Sequence, residues 1–340
     1  NSYKTALKRG ENIIMKKRII SLAAAAVFVI GTLAGCGNSS TQTTDKTASS
    51  DASSSGGDLV TVRDAVMTGQ LDQYATEIGL WQGIFEKYGI DLQTTEFVAG
   101  INTIDAVVNG TADIGMMADY AAVNRLGNTL DATNLQIFSQ ISGGQSALSG
   151  GLYVDPKYAD DPKSLDGSAG FMYQEGTVTY YYASKCIEYL GLDESKQNLI
   201  NTDSSQTRLA LIQKGGASAV YANGSEAKYI EEAGWVQVAT SQEIGIQTGS
   251  YFLSTDKYIS ENTDTLAKFL QAVDESTQYI NDHLDESAEY LADKLGLKAE
   301  DFKENWKNYS FEPGFSEEAT THLEDIEKWG FEHGSFPKDY

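Results

Sequence analysis

The chain has 340 residues, 48 of them acidic against 25 basic, and a formal net charge of −23. That balance excludes a nucleic-acid binder, which needs a basic footprint to displace counterions from phosphates. Two cysteines in this length exclude a disulfide scaffold, and the length exceeds what one compact core uses, so two lobes are expected.

In chain order, Lys16-Lys17-Arg18 form a basic head and Ile19 to Ile30 is apolar apart from Ser21. A basic head, a short apolar run and a small-residue exit describe a secretory signal; a spanning helix needs about 20 apolar residues. Leu33-Ala34-Gly35-Cys36 resembles the lipobox of bacterial lipoproteins. The resemblance implies a signal peptide over 15–35, cleavage before Cys36 and diacylglycerol on its sulfur, hence an extracytoplasmic protein anchored to the cell membrane by lipid. Arg9-Gly10-Glu11 can be encoded AGG-GGA-GAA, a ribosome-binding sequence three codons before Met15, so 1–14 are expected to be leader sequence. Residues 36–58 are Ser, Thr, Gly, Gln and Asp with almost nothing to bury, the composition of a disordered tether. Removing 1–35 takes out six basic residues and one acid, which leaves a formal charge of −28. Cys186 is then the one cysteine besides Cys36, expected as a small buried hydrophobe.

The folded part opens with a buried strand, Leu59 to Val66, and a helix from Leu71 to Tyr88 carrying Tyr74, Ile78, Trp81 and Phe85 on one face, stopped by Gly89. Ile90 to Val98 is a second strand, a helix opens near Gly100 and closes at Asn109-Gly110, and Ala112 to Met117 is a third strand. Ser168 to Tyr173 is a strand, followed by a helix to Leu190. Gly249 to Ser254 is a strand returning to the first lobe. Helices over 263–284, 286–295 and 317–329 are expected to cover that lobe. Alternating strands and helices indicate an α/β fold with mostly parallel sheets.

One unit recurs. Thr103-Ile-Asp-Ala-Val-Val-Asn-Gly-Thr-Ala-Asp-Ile-Gly-Met-Met117 matches Thr207-Arg-Leu-Ala-Leu-Ile-Gln-Lys-Gly-Gly-Ala-Ser-Ala-Val-Tyr221 in pattern: Thr-x-x-Ala, an apolar pair, a glycine turn, then a short strand. Two lobes of similar build are implied. In open α/β sheets ligands collect at the carboxyl ends of strands, so Met117 to Asp119 and Tyr221 to Asn223 are expected to face each other across a cleft.

The runs Gly79 to Leu92 and Asp105 to Gly115 resemble substrate-binding proteins of uptake ABC transporters, in the NMT1/THI5-like branch that handles nitrate, taurine, alkanesulfonates and thiamine-pyrimidine precursors. The resemblance runs from Leu59 to the C-terminal helices. It implies the two-lobed type II periplasmic-binding-protein fold, with lobe 1 over 59–155 and 246–340 and lobe 2 over 156–245. It also implies a monomer that works with an ABC permease and its ATPase subunits, without cofactor or metal.

Helix-start turns are candidate ligand contacts, because their free N–H groups suit anionic or strongly polar groups. They supply Gln70, Asn102 with Thr103, Asp119, and Glu175-Gly176-Thr177, the last being the turn through which family members commonly bind. Tyr74, Tyr221 and Asn223 complete the set. Tyr180, Tyr181 and Tyr182 cannot all face one way on a helix and are not assigned. Ser, Thr and Asn at such places are equally plain helix caps. Arg208 is the only arginine near the candidate turns, whereas Glu175, Asp72 and Asp119 add negative charge. An amine-bearing heterocycle therefore competes with a sulfonate, taurine or nitrate as ligand. His283, His322 and His333 are expected away from the cleft, and no Gly-x-Ser-x-Gly or His-Glu-x-x-His motif occurs. A sensory lipoprotein, or an unusual enzyme on the same fold, is the reading of another class.

Overall fold

The computed structural model describes residues 59–129, 132–144, 150–165, 167, 170–307, 309, 311 and 313–337. The leader, the signal, Cys36 and the tether lie outside the described residues.

The chain begins with β1 (Val60–Met67), α1 (Leu71–Trp81), α2 (Ile84–Lys87), β2 (Ile90–Phe97), α3 (Gly100–Val108), β3 (Ile114–Ala118), α4 (Asp119–Asn128) and β4 (Leu135–Gly144). The helix expected over 71–88 is broken in two. Gly83 takes φ 66°, a left-handed conformation that glycine adopts without a Cβ clash, and it turns the chain between α1 and α2. The apolar face survives the break, with Ile78 and Phe85 buried and Trp81 stacked on Tyr290 at 4.3 Å.

The chain then builds a second sheet from β5 (Gly150–Val154), β6 (Gly170–Tyr173), α5 (Val178–Tyr189), β7 (Asn198–Asn201), α6 (Ser205–Gln213), β8 (Ala219–Asn223), α7 (Gly224–Glu232), β9 (Val236–Thr240) and α8 (Ser241–Ile244). It returns through β10 (Thr248–Thr255) to α9 (Asp256–Glu261), α10 (Thr263–Asp282), α11 (Leu284–Leu295), α12 (Ala299–Trp306) and α13 (Glu317–Glu332).

The two sheets have the same plan: β2-β1-β3-β10-β4 in one and β7-β6-β8-β5-β9 in the other. In each, the first three strands run parallel and the fourth is antiparallel to both its neighbours. Each sheet is thus mostly parallel, as expected, and mixed through its fourth strand alone, which arrives from the other lobe and enters in reverse. Strand β5 pairs with β8 and β9, so Gly150–Val154 belongs to the second sheet. The repeated unit is real in space: α3–β3 and α6–β8 each deliver the middle strand of their sheet.

One apolar core lies between the first sheet and α1, α2, α10, α11 and α12, around Phe85, Phe252 and Phe269. Another runs through both lobes and joins Leu126 and Tyr251 of the first to Leu152, Tyr182 and Tyr221 of the second by way of Leu323, Ile326 and Trp329. Helix α13 is therefore no cover for one lobe alone. Trp329 meets the rings of Tyr120 on one side and of Tyr180 and Tyr181 on the other. Cys186 is free and fully buried, as its surroundings of apolar neighbours require, and burial pushes its thiol pKa up. Among the described residues no helix is long and apolar enough to cross a membrane.

Candidate functional site

A cavity of about 490 Å³ opens between the lobes. The first lobe lines it with Ile101 of α3, Met117 and Ala118 at the carboxyl end of β3, and one face of α4. The second lobe contributes Gly176, Thr177, Val178 and Tyr182 from the start of α5, and Thr248 stands where β10 begins. Ala118 and Thr248 also line an adjoining cavity of about 380 Å³, with Met67, Gln70, Ser142, Asn305 and Tyr309, so the two form one cleft.

Four of the residues singled out in the sequence meet there: Gln70, Asp119, Gly176 and Thr177. Gly176 holds φ 75° in the turn that presents α5, and Thr177 caps that helix, its hydroxyl accepting from Thr179 N at 3.3 Å. Asp119 is 2 % exposed and fully engaged. Its Oδ1 accepts from Tyr120 N at 2.7 Å, and its Oδ2 accepts from Gly249 N at 2.9 Å and lies 2.7 Å from His322 Nε2. His322 is thus not remote from the cleft: α13 brings it onto the carboxylate that shapes the cleft wall.

Two further candidates stand one layer back. Tyr221 is buried behind Tyr182, with ring centroids 4.5 Å apart, and its hydroxyl is 3.0 Å from Ser241 Oγ; burial lifts its pKa to about 12. Tyr74 packs against Phe302 at 5.0 Å and Tyr309 at 6.4 Å, supporting the tyrosine that lines the cleft.

The other four do not line it. Asn102 is exposed, one residue beyond the lining Ile101. Thr103 is fully buried, its Oγ1 turned to the carbonyls of Gly100 and Met116, which ties the start of α3 to the end of β3. Glu175 is exposed and bonds Asn201, whose Nδ2 donates to Oε2 at 3.2 Å and whose Oδ1 accepts from Glu175 N at 3.1 Å. Asn223 sits at the start of α7 without a side-chain cap bond.

The electrostatics differ from the sequence expectation. Arg208 is buried in lobe 2 and braces α6 to α7, with Nε 2.6 Å from Glu226 Oε1 and Nη2 3.1 Å from Oε2. The arginine that lines the cleft is Arg125 of α4. Asp72 points away from solvent, its Oδ2 accepting from Met67 N at 2.9 Å, and burial raises its pKa from the usual 3.8 to about 7. Asp119 and Asp72 thus offer the cleft no free carboxylate, and Glu175, exposed beside the lining Gly176, is not itself a lining residue. Arg125 and Tyr182 escaped the sequence reading because only the helix face decides them; four-residue spacing along α4 from Ala121 was the one local signal for Arg125.

Residues 78–287 match the family model described as NMT1/THI5 like. The periplasmic aliphatic sulphonate binding protein SsuA of Escherichia coli superposes with a TM-score of 0.66 at 16% identity, covering 82% of this chain and 94% of that one. The alkanesulfonate-binding protein SsuA of Xanthomonas axonopodis pv. citri, bound to MOPS, gives 0.58 at 14% identity over 83% of this chain and 96% of that one. The periplasmic nitrate-binding protein NrtA of Synechocystis PCC 6803 gives 0.52 at 15% identity over 82% and 83%. These likenesses are of fold: the two-lobed architecture is that of periplasmic binding proteins. No curated protein matches the sequence.

Proposed function

The chain belongs to the NMT1/THI5-like family, and from that premise we propose that it is an extracytoplasmic solute-binding protein. It captures a small polar organic ligand of the sulfonate, taurine or nitrate class between its lobes and delivers it to an ABC permease and its ATPase. Lipid on Cys36 holds it at the membrane, and it works as a monomer without catalytic chemistry.

The observation that carries this reading is the interlobe cavity itself: both lobes contribute walls, and its acidic wall residue, Asp119, is already saturated by three partners. Binding pockets for small ligands commonly span about 300–1,000 Å³ and are mainly apolar with a few placed polar groups. Here Ile101, Met117, Val178 and Tyr182 supply the apolar body, and the start of α5 supplies backbone donors. A site without a free carboxylate suits an anion better than an amine, and its size suits an organic body better than nitrate alone.

Thermal-shift screening with taurine, short alkanesulfonates, nitrate and thiamine-pyrimidine precursors tests the assignment. A ligand at 100 times its Kd should stabilise the protein by about 2.7 kcal/mol. Tyr182→Ala should weaken the sulfonate hit at least tenfold and leave the fold intact by circular dichroism. A response confined to the thiamine precursors would replace the sulfonate class by the heterocycle. Silence across the panel, with no permease or ATPase gene beside this one, would turn the reading towards a sensory lipoprotein.

A further inference from the structure

Arg125 stands out as the only cation among the described residues lining either part of the cleft. A guanidinium carries five N–H donors in a planar fork. Here Nη2 donates to Asp105 Oδ1 at 2.6 Å, while Nε is buried with no hydrogen-bond partner. The group is under-satisfied, and its one acidic partner is weakly committed, since the Asp105 side chain is 45% exposed. Exposed or half-exposed ion pairs contribute little and exchange readily with water or other anions. A buried orphan donor, by contrast, gains from any acceptor that reaches it.

We propose that Arg125 grips the anionic head group of the ligand, an oxyanion such as a sulfonate, which competes with Asp105 for the guanidinium fork. The inference rests on the solute-binding reading above and fixes the charge of its ligand. A planar fork matches two oxygens of a sulfonate at once. Along α4, Arg125 lies six residues beyond Asp119, roughly 9 Å of helix rise. A head group held at Arg125 therefore leaves space for an organic body running back past Ile101 and Met117 towards Tyr182. Asp105 acts as a stand-in anion: it keeps the guanidinium aimed while the cleft is empty and yields when ligand arrives.

The probes are inorganic sulfate and propane-1-sulfonate, each titrated against chloride at matched ionic strength, with thermal shift and calorimetry as readouts. Wild type should show saturable stabilisation by both. Arg125→Gln should lose at least tenfold in affinity for both, and Asp105→Asn, which removes the competitor from a half-exposed position, should gain several-fold. Equal sulfate affinity in wild type and Arg125→Gln, or no gain in Asp105→Asn, would overturn the role of Arg125. So would sulfate behaving no differently from chloride in wild type. If sulfate follows the expected pattern but no organic sulfonate binds more tightly than sulfate, Arg125 stands and the ligand class proposed above falls.

Discussion

At the scale of single residues, the most unusual chemistry lies beneath the cleft rather than in it. Asp64 of β1 is 1% exposed and both of its carboxylate oxygens lack a partner; Asp72 of α1, also buried, has one oxygen without a partner. Burial drives the Asp64 pKa well above 3.8, with the charge of Asp72 adding to it, and takes Asp72 to about 7. An unfolded chain gives up both protons near 3.8, so between that pH and about 7 the folded state holds protons that the unfolded state has lost. By linkage, stability falls as pH rises through this window. The contribution is whole below about 4 and lost as Asp72 ionises near 7. Urea unfolding at pH 5 and pH 8 should therefore show wild type more sensitive to alkali than Asp64→Asn. At pH 8 that variant should be the more stable of the two, because its amide has no proton to lose in the unfolded chain. Identical pH slopes in the two proteins would remove the effect. Asp72 bonds Met67 N, and Met67 and Gln70 line the cleft, so this pair lies directly under a ligand-facing turn.

At the scale of elements, α13 is the piece whose role the sequence concealed. Its acids read as a solvated face, and its place in the chain suggested a cover for the first lobe. In the structure Trp329 sits 6.0 Å from Tyr120 of the first lobe and 5.0 and 5.4 Å from Tyr180 and Tyr181 of the second, and stacks on His333 at 4.3 Å. His333 Nε2 in turn lies 3.3 Å from Glu194 Oε1. Trp329→Ala should cost about 3–5 kcal/mol in urea unfolding, the range for a large aromatic removed from a core. It should also loosen the lobes, seen as a larger radius of gyration by X-ray scattering without ligand. Destabilisation with an unchanged radius would make α13 a packing element only. The contrast with the repeated α3–β3 and α6–β8 units explains what the sequence disclosed. Helix, glycine turn and strand are encoded by neighbours in the chain, so their recurrence was legible, and with it the matching sheets. The turns that line the cleft were legible too, since Gly176 and Thr177 are local signals. Facing directions were not: Tyr221 and Tyr182 are both plausible from the sequence, and only packing put Tyr182 in front. The contact of His322 with Asp119 joins residues 203 positions apart, and no local pattern encodes such a pairing.

At the scale of the whole molecule, the formal charge of −23 sets how a charged ligand arrives. A chain of this charge surrounds itself with a negative potential that reaches several ångströms into solvent, about 10 Å in 0.1 M salt and about 3 Å in 1 M salt. An anionic ligand must climb that potential before it meets Arg125, whereas an amine would be drawn down it. Stopped-flow association of propane-1-sulfonate should therefore become faster between 20 mM and 300 mM salt, when an inert salt that does not compete for the site is used. Its dissociation, governed by contacts inside the closed cleft, should change less. A cationic ligand would show the opposite slope in association. An association rate of propane-1-sulfonate that falls with salt would mean that the approach to the cleft feels a local positive potential rather than the net charge, which would overturn this account of capture while leaving the anionic assignment and the two-lobed fold in place.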